Sequence, residues 1–205
     1  MERLIIEELL QWKTSPRRKP LILNGARQVG KTWILKHFGE IHYDNVAYIN
    51  CDKESLAAKL FEDYDVKRII QALEAITNTQ IVAGKTLIII DEIQEVPRGL
   101  HALKYFAENA PEQHIAVAGS LLGLLLHQGE SFPVGKVNML QMHPMTFLEF
   151  LKAIGEDKIC EQLSNREWSV TNTVHEKIVK HLRMYLYVGG MPEAVQAYCD
   201  NVPLR

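Results

Sequence analysis

The chain has 205 residues, of which 47% are hydrophobic and 23% are charged, and this balance excludes a wholly disordered polypeptide. Its 23 Lys plus Arg against 25 Asp plus Glu give a formal net charge of −2, so a nucleic-acid footprint over the whole surface is not expected. The three cysteines (Cys51, Cys160 and Cys199) form no CxxC pair, which argues against a disulfide framework and against a zinc ribbon.

No segment has the pattern of a signal peptide or of a membrane span. Glu7 and Glu8 interrupt the apolar stretch at the N-terminus, and no small-residue cleavage site follows it. The longest apolar run, residues 115–126, is shorter than the roughly 20 residues that cross a bilayer. We therefore expect a cytoplasmic protein with reduced thiols and no membrane partner.

Helical and strand patterns alternate through the first 143 residues. Helices are predicted at residues 3–12, 30–38, 54–77 (split near 63–65) and 97–109. Strands are predicted at residues 21–23, 46–50, 86–90, 114–118 and 137–141. This alternation is typical of an α/β fold with a parallel sheet, which we assign to residues 1–143.

Residues 144–205 carry only helical patterns, at 145–164, at 173–186 and in a last helix that opens at Pro192. We interpret them as a helical segment that follows the α/β domain.

A basic, Pro-flanked segment at residues 13–20 separates the first helix from the first strand. Its four cations could contact a phosphate backbone, but a solvated loop is the favoured interpretation: Lys13, Arg17, Arg18 and Lys19.

The strongest motif follows the first strand directly. It is a Walker A pattern, GxxxxGKT, whose backbone amides are predicted to surround phosphate oxygens: Gly25, Ala26, Arg27, Gln28, Val29, Gly30, Lys31 and Thr32. Lys31 would contact the β- and γ-phosphates, and the Thr32 hydroxyl would bind Mg²⁺. Trp33, the next residue, completes the set of predicted nucleotide contacts.

A buried strand that ends in two carboxylates forms the Walker B pattern, LIIIDE at residues 87–92. We expect Asp91 to hold the Mg²⁺ shell and Glu92 to activate the attacking water. No NKxD sequence follows, so adenine is the expected base, and the predicted cofactors are ATP and Mg²⁺.

A third strand ends in AVAGS, and Ser120 is the candidate sensor of the γ-phosphate, with a simple strand-to-loop turn as the alternative. Four residues are candidate arginine fingers or their equivalents, although none has a decisive context: Arg27, Arg98, Lys136 and Arg183. For Arg27, a latch between the phosphate loop and a neighbouring segment is slightly favoured.

These segments resemble a known family. GARQVGKT, LIIIDEIQEVP, AVAGSLLGLLL, HPMTFLEF and YLYVGGMPEAV occur here in that order, and the sequence resembles AAA-type ATPases of bacteria and archaea that join an N-terminal P-loop domain to a C-terminal domain of unknown function. The resemblance implies a five-stranded sheet of order 5-1-4-3-2. It also assigns Lys31 and Thr32 to phosphate and Mg²⁺, Asp91 and Glu92 to Walker B, and Ser120 to the sensor.

The sequence departs from this family in two respects. The family often has Gly-Arg where this chain has Gly135 and Lys136, which puts a finger role for Lys136 in doubt. Members are about twice as long, so we expect these residues to precede a missing C-terminal domain that contains the surface for partners.

Three functions are compatible with these patterns. The first is an Mg²⁺-dependent ATPase whose hydrolysis drives a conformational change in that further domain. The second is a nucleotide-gated switch with negligible turnover, favoured by the lack of a clear arginine finger. The third is a nucleic-acid motor, suggested by DEIQ and the basic segment. Expected partners are ATP, the chain's own C-terminal domain or another protein at the helical end, and a second copy of the chain, with nucleic acid only weakly supported.

Overall fold

The computed structural model describes residues 2–119 and 135–201, which form two compact units. The first spans Ile5–Met142, and the second spans His143–Arg205 together with Met1–Leu4.

The first unit is built on a parallel sheet. Its strands in the described residues are β1 (Leu21–Gly25), β2 (Asn45–Asn50), β3 (Thr86–Asp91), β4 (His114–Gly119) and β5 (Asn138–Met142). They pair in the order β2-β3-β4-β1-β5, which is the expected 5-1-4-3-2 order read from the other edge. The predicted α/β class and strand order are therefore confirmed.

Burial explains why the strand patterns differ. β3 and β4 are buried along their whole length, and this is why TLIII has no alternation of apolar and polar residues. β2 lies at the edge of the sheet, and its residues alternate between buried and half-buried positions from Ala47 onwards. The half-buried positions of β2 can therefore hold polar side chains that extend towards the carboxyl end of β3.

The helices of the first unit within the described residues are α1 (Ile5–Thr14), α2 (Lys31–His42), α3 (Ala57–Leu60), α4 (Val66–Thr77) and α5 (Gly99–Asn109). The predicted split between α3 and α4 is confirmed, because Asp65 caps α4 by accepting from the amides of Lys67 and Arg68. The prediction that Pro97 begins a helix is wrong. A 3-10 turn at Ile93–Glu95 comes first, and Arg98, at φ 69°, precedes α5.

The second unit is helical: α6 (Phe147–Ala153), α7 (Asp157–Ser164), α8 (Trp168–Thr173), α9 (His175–Val188) and α10 (Pro192–Cys199). The single helix predicted over residues 145–164 is wrong, because Gly155 adopts φ 79° and separates α6 from α7. Helix α8 had no counterpart among the predicted elements. Pro192 opens the last helix as expected.

A buried carboxylate joins residues 2–4 to the second unit. Glu149 accepts from the Arg3 guanidinium and the Leu4 amide, both at 2.9 Å, and from the Thr146 amide at 2.7 Å. Thr146 in turn caps the start of α6 through its hydroxyl, which completes a capping box.

Among the described residues, no helix combines the length and apolar character needed to cross a lipid bilayer.

Candidate functional site

The predicted phosphate loop connects the carboxyl end of β1 to the first turn of α2. Gln28 and Gly30 adopt left-handed conformations, with φ of 65° and 91°, so the chain curls between strand and helix. A methyl group on Gly25 would overlap the carbonyl oxygen of Met142, which restricts this position to glycine. Residues 26–28 are exposed, and the loop lies at a helix N-terminus, where anions are favoured.

Lys31 lies inside this loop and is only 7% exposed. Its ammonium donates to the carbonyls of Gly25 at 2.8 Å and Ala26 at 2.7 Å. Burial lowers the pKa of this ammonium, and Arg27 lowers it further, while Glu92 and Asp91 oppose the shift. The loop, both Walker B carboxylates and Lys31 therefore share one electrostatic environment.

Thr32 and Asp91 are brought together although 59 residues separate them in sequence. The Thr32 hydroxyl donates to Asp91 Oδ2 at 2.7 Å, and Asp91 is 4% exposed at the end of β3. Hydroxyl and carboxylate oxygens are ligands that Mg²⁺ accepts, usually with phosphate and water oxygens in the remaining positions. The described residues contain no group of three or more His, Cys, Asp or Glu that could hold a metal. The Thr32 hydroxyl and the Asp91 carboxylate are donors that fit a magnesium ion whose other ligands are phosphate and water oxygens.

Two donors that the sequence analysis missed also reach Asp91 Oδ2. The Tyr48 hydroxyl lies 3.3 Å away and the Asn50 side-chain amide 3.5 Å away. Both belong to β2, which pairs directly with β3, and Asn50 is in register with Asp91. They reach Asp91 because β2 is the neighbour of β3 in the sheet. The sequence alone shows only that polar residues occur near the end of a predicted strand.

Glu92 follows Asp91 in a left-handed conformation, with φ 51°. The side-chain amide of Gln94 donates to Glu92 Oε2, and it lies 3.3 Å from Glu95 Oε1. The carbonyl oxygen of that amide is buried and has no hydrogen-bond partner in the described parts of the chain. Gln94 was also missed by the sequence analysis, which treated it only as part of DEIQ.

The remaining predicted site residues are Trp33 and Ser120. Trp33 is 49% exposed, and its indole stacks on His37, one turn later in α2, at a centroid distance of 4.7 Å. Ser120, the candidate sensor, lies outside the described residues.

The candidate fingers occupy varied positions. Arg98 donates to the Glu62 carbonyl at 2.7 Å, and Lys136 pairs with Glu108 at 2.9 Å. Arg27 is close enough to Lys31 to lower its pKa. Arg183 lies on α9 in the second unit. None of these contacts assigns a finger role.

Three of the four cations of the basic segment donate hydrogen bonds to backbone carbonyls. Lys13 donates to His42 and lies over the Tyr43 ring, Arg18 donates to Pro111 at 3.1 Å, and Lys19 donates to Gly135. These contacts occupy the side chains that were candidates for contact with a phosphate backbone.

Comparison with known proteins identifies the family. A sequence family described as an AAA domain matches residues 17–151, which is about two thirds of the chain and includes the phosphate loop and both Walker B carboxylates. The chain belongs to this AAA domain family. No match is found among curated proteins.

Solved structures share the fold of this AAA domain at low sequence identity. The Walker-type ATPase PABY2304 of Pyrococcus abyssi has a TM-score of 0.56 and 17% identity, covering 98% of this chain and 68% of its own length. The Drosophila ORC bound to DNA has a TM-score of 0.56 and 14% identity, covering 94% of this chain and 58% of the matched chain. This chain therefore covers about 60 to 70% of the length of these two neighbours. At such low sequence identity, the likeness concerns the fold alone.

Proposed function

We propose that this AAA domain binds ATP together with Mg²⁺ and hydrolyses it. The observation that carries the proposal is the 2.7 Å bond from Thr32 to Asp91, beside a buried Lys31 whose ammonium lies inside the phosphate loop. These three side chains are the ones that the Walker patterns assign to metal and phosphate, and they come from two distant segments.

Each residue has a role that follows from its chemistry. The amides of residues 26–32 and the Lys31 ammonium would bind the phosphates, and Thr32 and Asp91 would hold Mg²⁺. When bound, Mg²⁺ supplies positive charge that stabilises the phosphoryl group during transfer. Glu92 would orient the attacking water and accept its proton at Oε1, while the amide of Gln94 binds Oε2.

The second part of the proposal concerns what ATP hydrolysis does to the rest of the protein. We propose that hydrolysis changes the conformation of a further C-terminal domain. The structural neighbours are longer than this chain, which covers 68% and 58% of their lengths.

The proposal is tested by titrating the protein with a fluorescent ATP analogue, with Mg²⁺ and with EDTA. We expect micromolar affinity that Lys31→Ala weakens at least about tenfold, because a charge-assisted contact to phosphate is lost. Lys85→Ala is the matched control, since Lys85 is exposed and pairs only loosely, at 3.7 Å, with Asp44. Absence of binding by the wild type, or equal binding by the Lys31 variant, contradicts the proposal.

The rate of ATP hydrolysis distinguishes an ATPase from a nucleotide-gated switch with negligible turnover. Glu92→Gln should retain ATP and lose steady-state hydrolysis by about 10²- to 10⁴-fold, the usual contribution of a general base. A wild type that releases phosphate no faster than Glu92→Gln would support the nucleotide-gated switch instead.

A further inference from the structure

The edge strand β2 contributes a tyrosine to the predicted metal site. Tyr48 pairs in register with Ile89 of β3, two residues before Asp91, and its half-buried side chain extends along the sheet to that carboxylate. Its hydroxyl lies 3.3 Å from Asp91 Oδ2, the same oxygen that accepts from Thr32. Tyr48 and Thr32 therefore hold one carboxylate oxygen from two different elements.

The direction of this hydrogen bond is fixed by the neighbours of the phenol. A tyrosine hydroxyl has one proton to donate, and the carboxylate of Asp91 can only accept when ionised. The Asn50 amide lies 3.5 Å from the same hydroxyl and can only donate to it. A tyrosine phenol has an ordinary pKa of about 10, so it keeps its proton at neutral pH.

The tyrosine ring is held by a cation from the phosphate-loop helix. The Lys36 ammonium lies 3.4 Å from the centre of the Tyr48 ring, within the range of a cation–π contact. Lys36 follows Thr32 by four residues in α2, so both side chains lie on the same face of the helix. The contacts link four side chains in a row across α2, β2 and β3: Thr32, Asp91, Tyr48 and Lys36.

We propose that Tyr48, held by Lys36, is a positioning residue that keeps the Asp91 carboxylate turned towards Thr32 and so forms the magnesium site before the ion arrives. The inference deepens the proposed function and rests on it. Neither residue touches the nucleotide in this proposal, so the effect belongs to the metal and not to the phosphates.

The test is a magnesium titration of nucleotide binding. In Tyr48→Phe, which keeps the ring on Lys36 and removes only the hydroxyl, we expect the half-saturating Mg²⁺ concentration to rise about 3- to 10-fold, the typical net contribution of one hydrogen bond. Affinity for the ATP analogue in EDTA should stay unchanged. Tyr105→Phe is the control, because the Tyr105 ring stacks on the Tyr64 ring, with 4.4 Å between the ring centroids, and in the described part of the chain its hydroxyl does not bond to Asp91.

The lysine provides a second, independent variant. Lys36→Met should raise the half-saturating Mg²⁺ concentration in the same direction by a smaller factor, and Lys36→Arg should restore it, because a guanidinium also binds an aromatic face. Circular dichroism checks that every variant is folded.

Three results would overturn the inference. The first is an unchanged magnesium midpoint in Tyr48→Phe, and the second is an equal loss of affinity with Mg²⁺ and with EDTA, which indicates general damage. The third is a Lys36→Arg variant as weak as Lys36→Met. Failure of the wild type to bind the analogue at all would be recognised first, as failure of the proposed function itself.

Discussion

Lys31 has an environment that differs from that of an ordinary surface lysine. It is buried, and it donates to two loop carbonyls. The negative charges of both Walker B carboxylates raise the pKa of its ammonium, against the larger lowering effect of burial. A phosphate that entered the loop would offer anionic oxygens, which accept more strongly from an ammonium than neutral carbonyls do. The residue is thus held close to its predicted ligand by bonds that the ligand can replace.

Trp33 offers a direct optical test at the same scale. It follows Thr32, the proposed magnesium ligand, and is half exposed, so we expect ATP to change its fluorescence when the loop binds phosphate. Trp33→Phe should remove most of the ATP-dependent change while leaving the affinity for the fluorescent analogue within a few-fold. Trp168→Phe, which alters an exposed tryptophan of the second unit, is the control and should retain the change. A full signal in Trp33→Phe would show that another tryptophan reports ATP binding and would contradict this prediction.

Two adjacent glycines explain how helices α9 and α10 meet in the second unit. Gly189, at φ 80°, ends α9 and donates to the Tyr185 carbonyl at 2.7 Å. Gly190 lies against the backbone of Met145, where a methyl group would overlap the Met145 carbonyl oxygen. Tyr185 donates to that same oxygen at 2.8 Å, so the segment before α6 is held from both sides.

Substitution of Gly190 should therefore destabilise the second unit. We expect Gly190→Ala to lower the free energy of unfolding by about 2 kcal/mol or more, because a backbone contact cannot yield as a flexible side chain can. Gly155→Ala is the matched control. It places alanine at φ 79° with nothing within 4 Å, so it should cost only about 1 kcal/mol of backbone strain. Urea unfolding followed by far-ultraviolet circular dichroism measures both, and an equal cost for the two variants would contradict the steric argument.

At the scale of the whole molecule, a buried histidine links three elements of the first unit. His114 begins β4, its Nδ1 lies 2.6 Å from the Tyr43 hydroxyl, and its ring packs edge-on against Trp12 of α1. Burial, reinforced by Arg18 and Lys13, lowers the pKa of His114 from its ordinary 6.5 to about 4. The folded protein therefore binds a proton at this site less readily than the unfolded chain does.

The sign of the pH dependence follows from that difference. His114 contributes its full stability above pH 6.5, and this contribution is lost as the pH falls towards 4. Between pH 7.5 and 5.5 we expect the free energy of unfolding to fall by about 1.4 kcal/mol on account of His114 alone. The double variant His114→Phe with Tyr43→Phe should lack this part of the pH slope, since it leaves no orphaned hydroxyl and no titrating ring.

Urea midpoints at the two pH values provide the measurement. His37→Gln, which alters a half-buried histidine on α2, should retain the slope of the wild type. If the double variant loses stability on acidification as steeply as the wild type, His114 is not the group responsible.

The sequence by itself determined the features that depend on neighbours along the chain. The phosphate loop, the fully buried strand before Asp91 and the helix opened by Pro192 are each specified within about ten consecutive residues. The α/β class also followed from periodicity, while the strand order came from the family resemblance.

Only the tertiary structure decided which distant side chains share a site. The pairing of β2 with β3 brings Tyr48 and Asn50 to Asp91, and the crossover through α2 brings Lys36 to Tyr48. The bond from Arg3 to Glu149 likewise joins residues 146 positions apart. Periodicity reports which side of an element is buried, but not which element covers it. Contacts between elements depend on the packing of the whole unit, and so they cannot be read from any single segment.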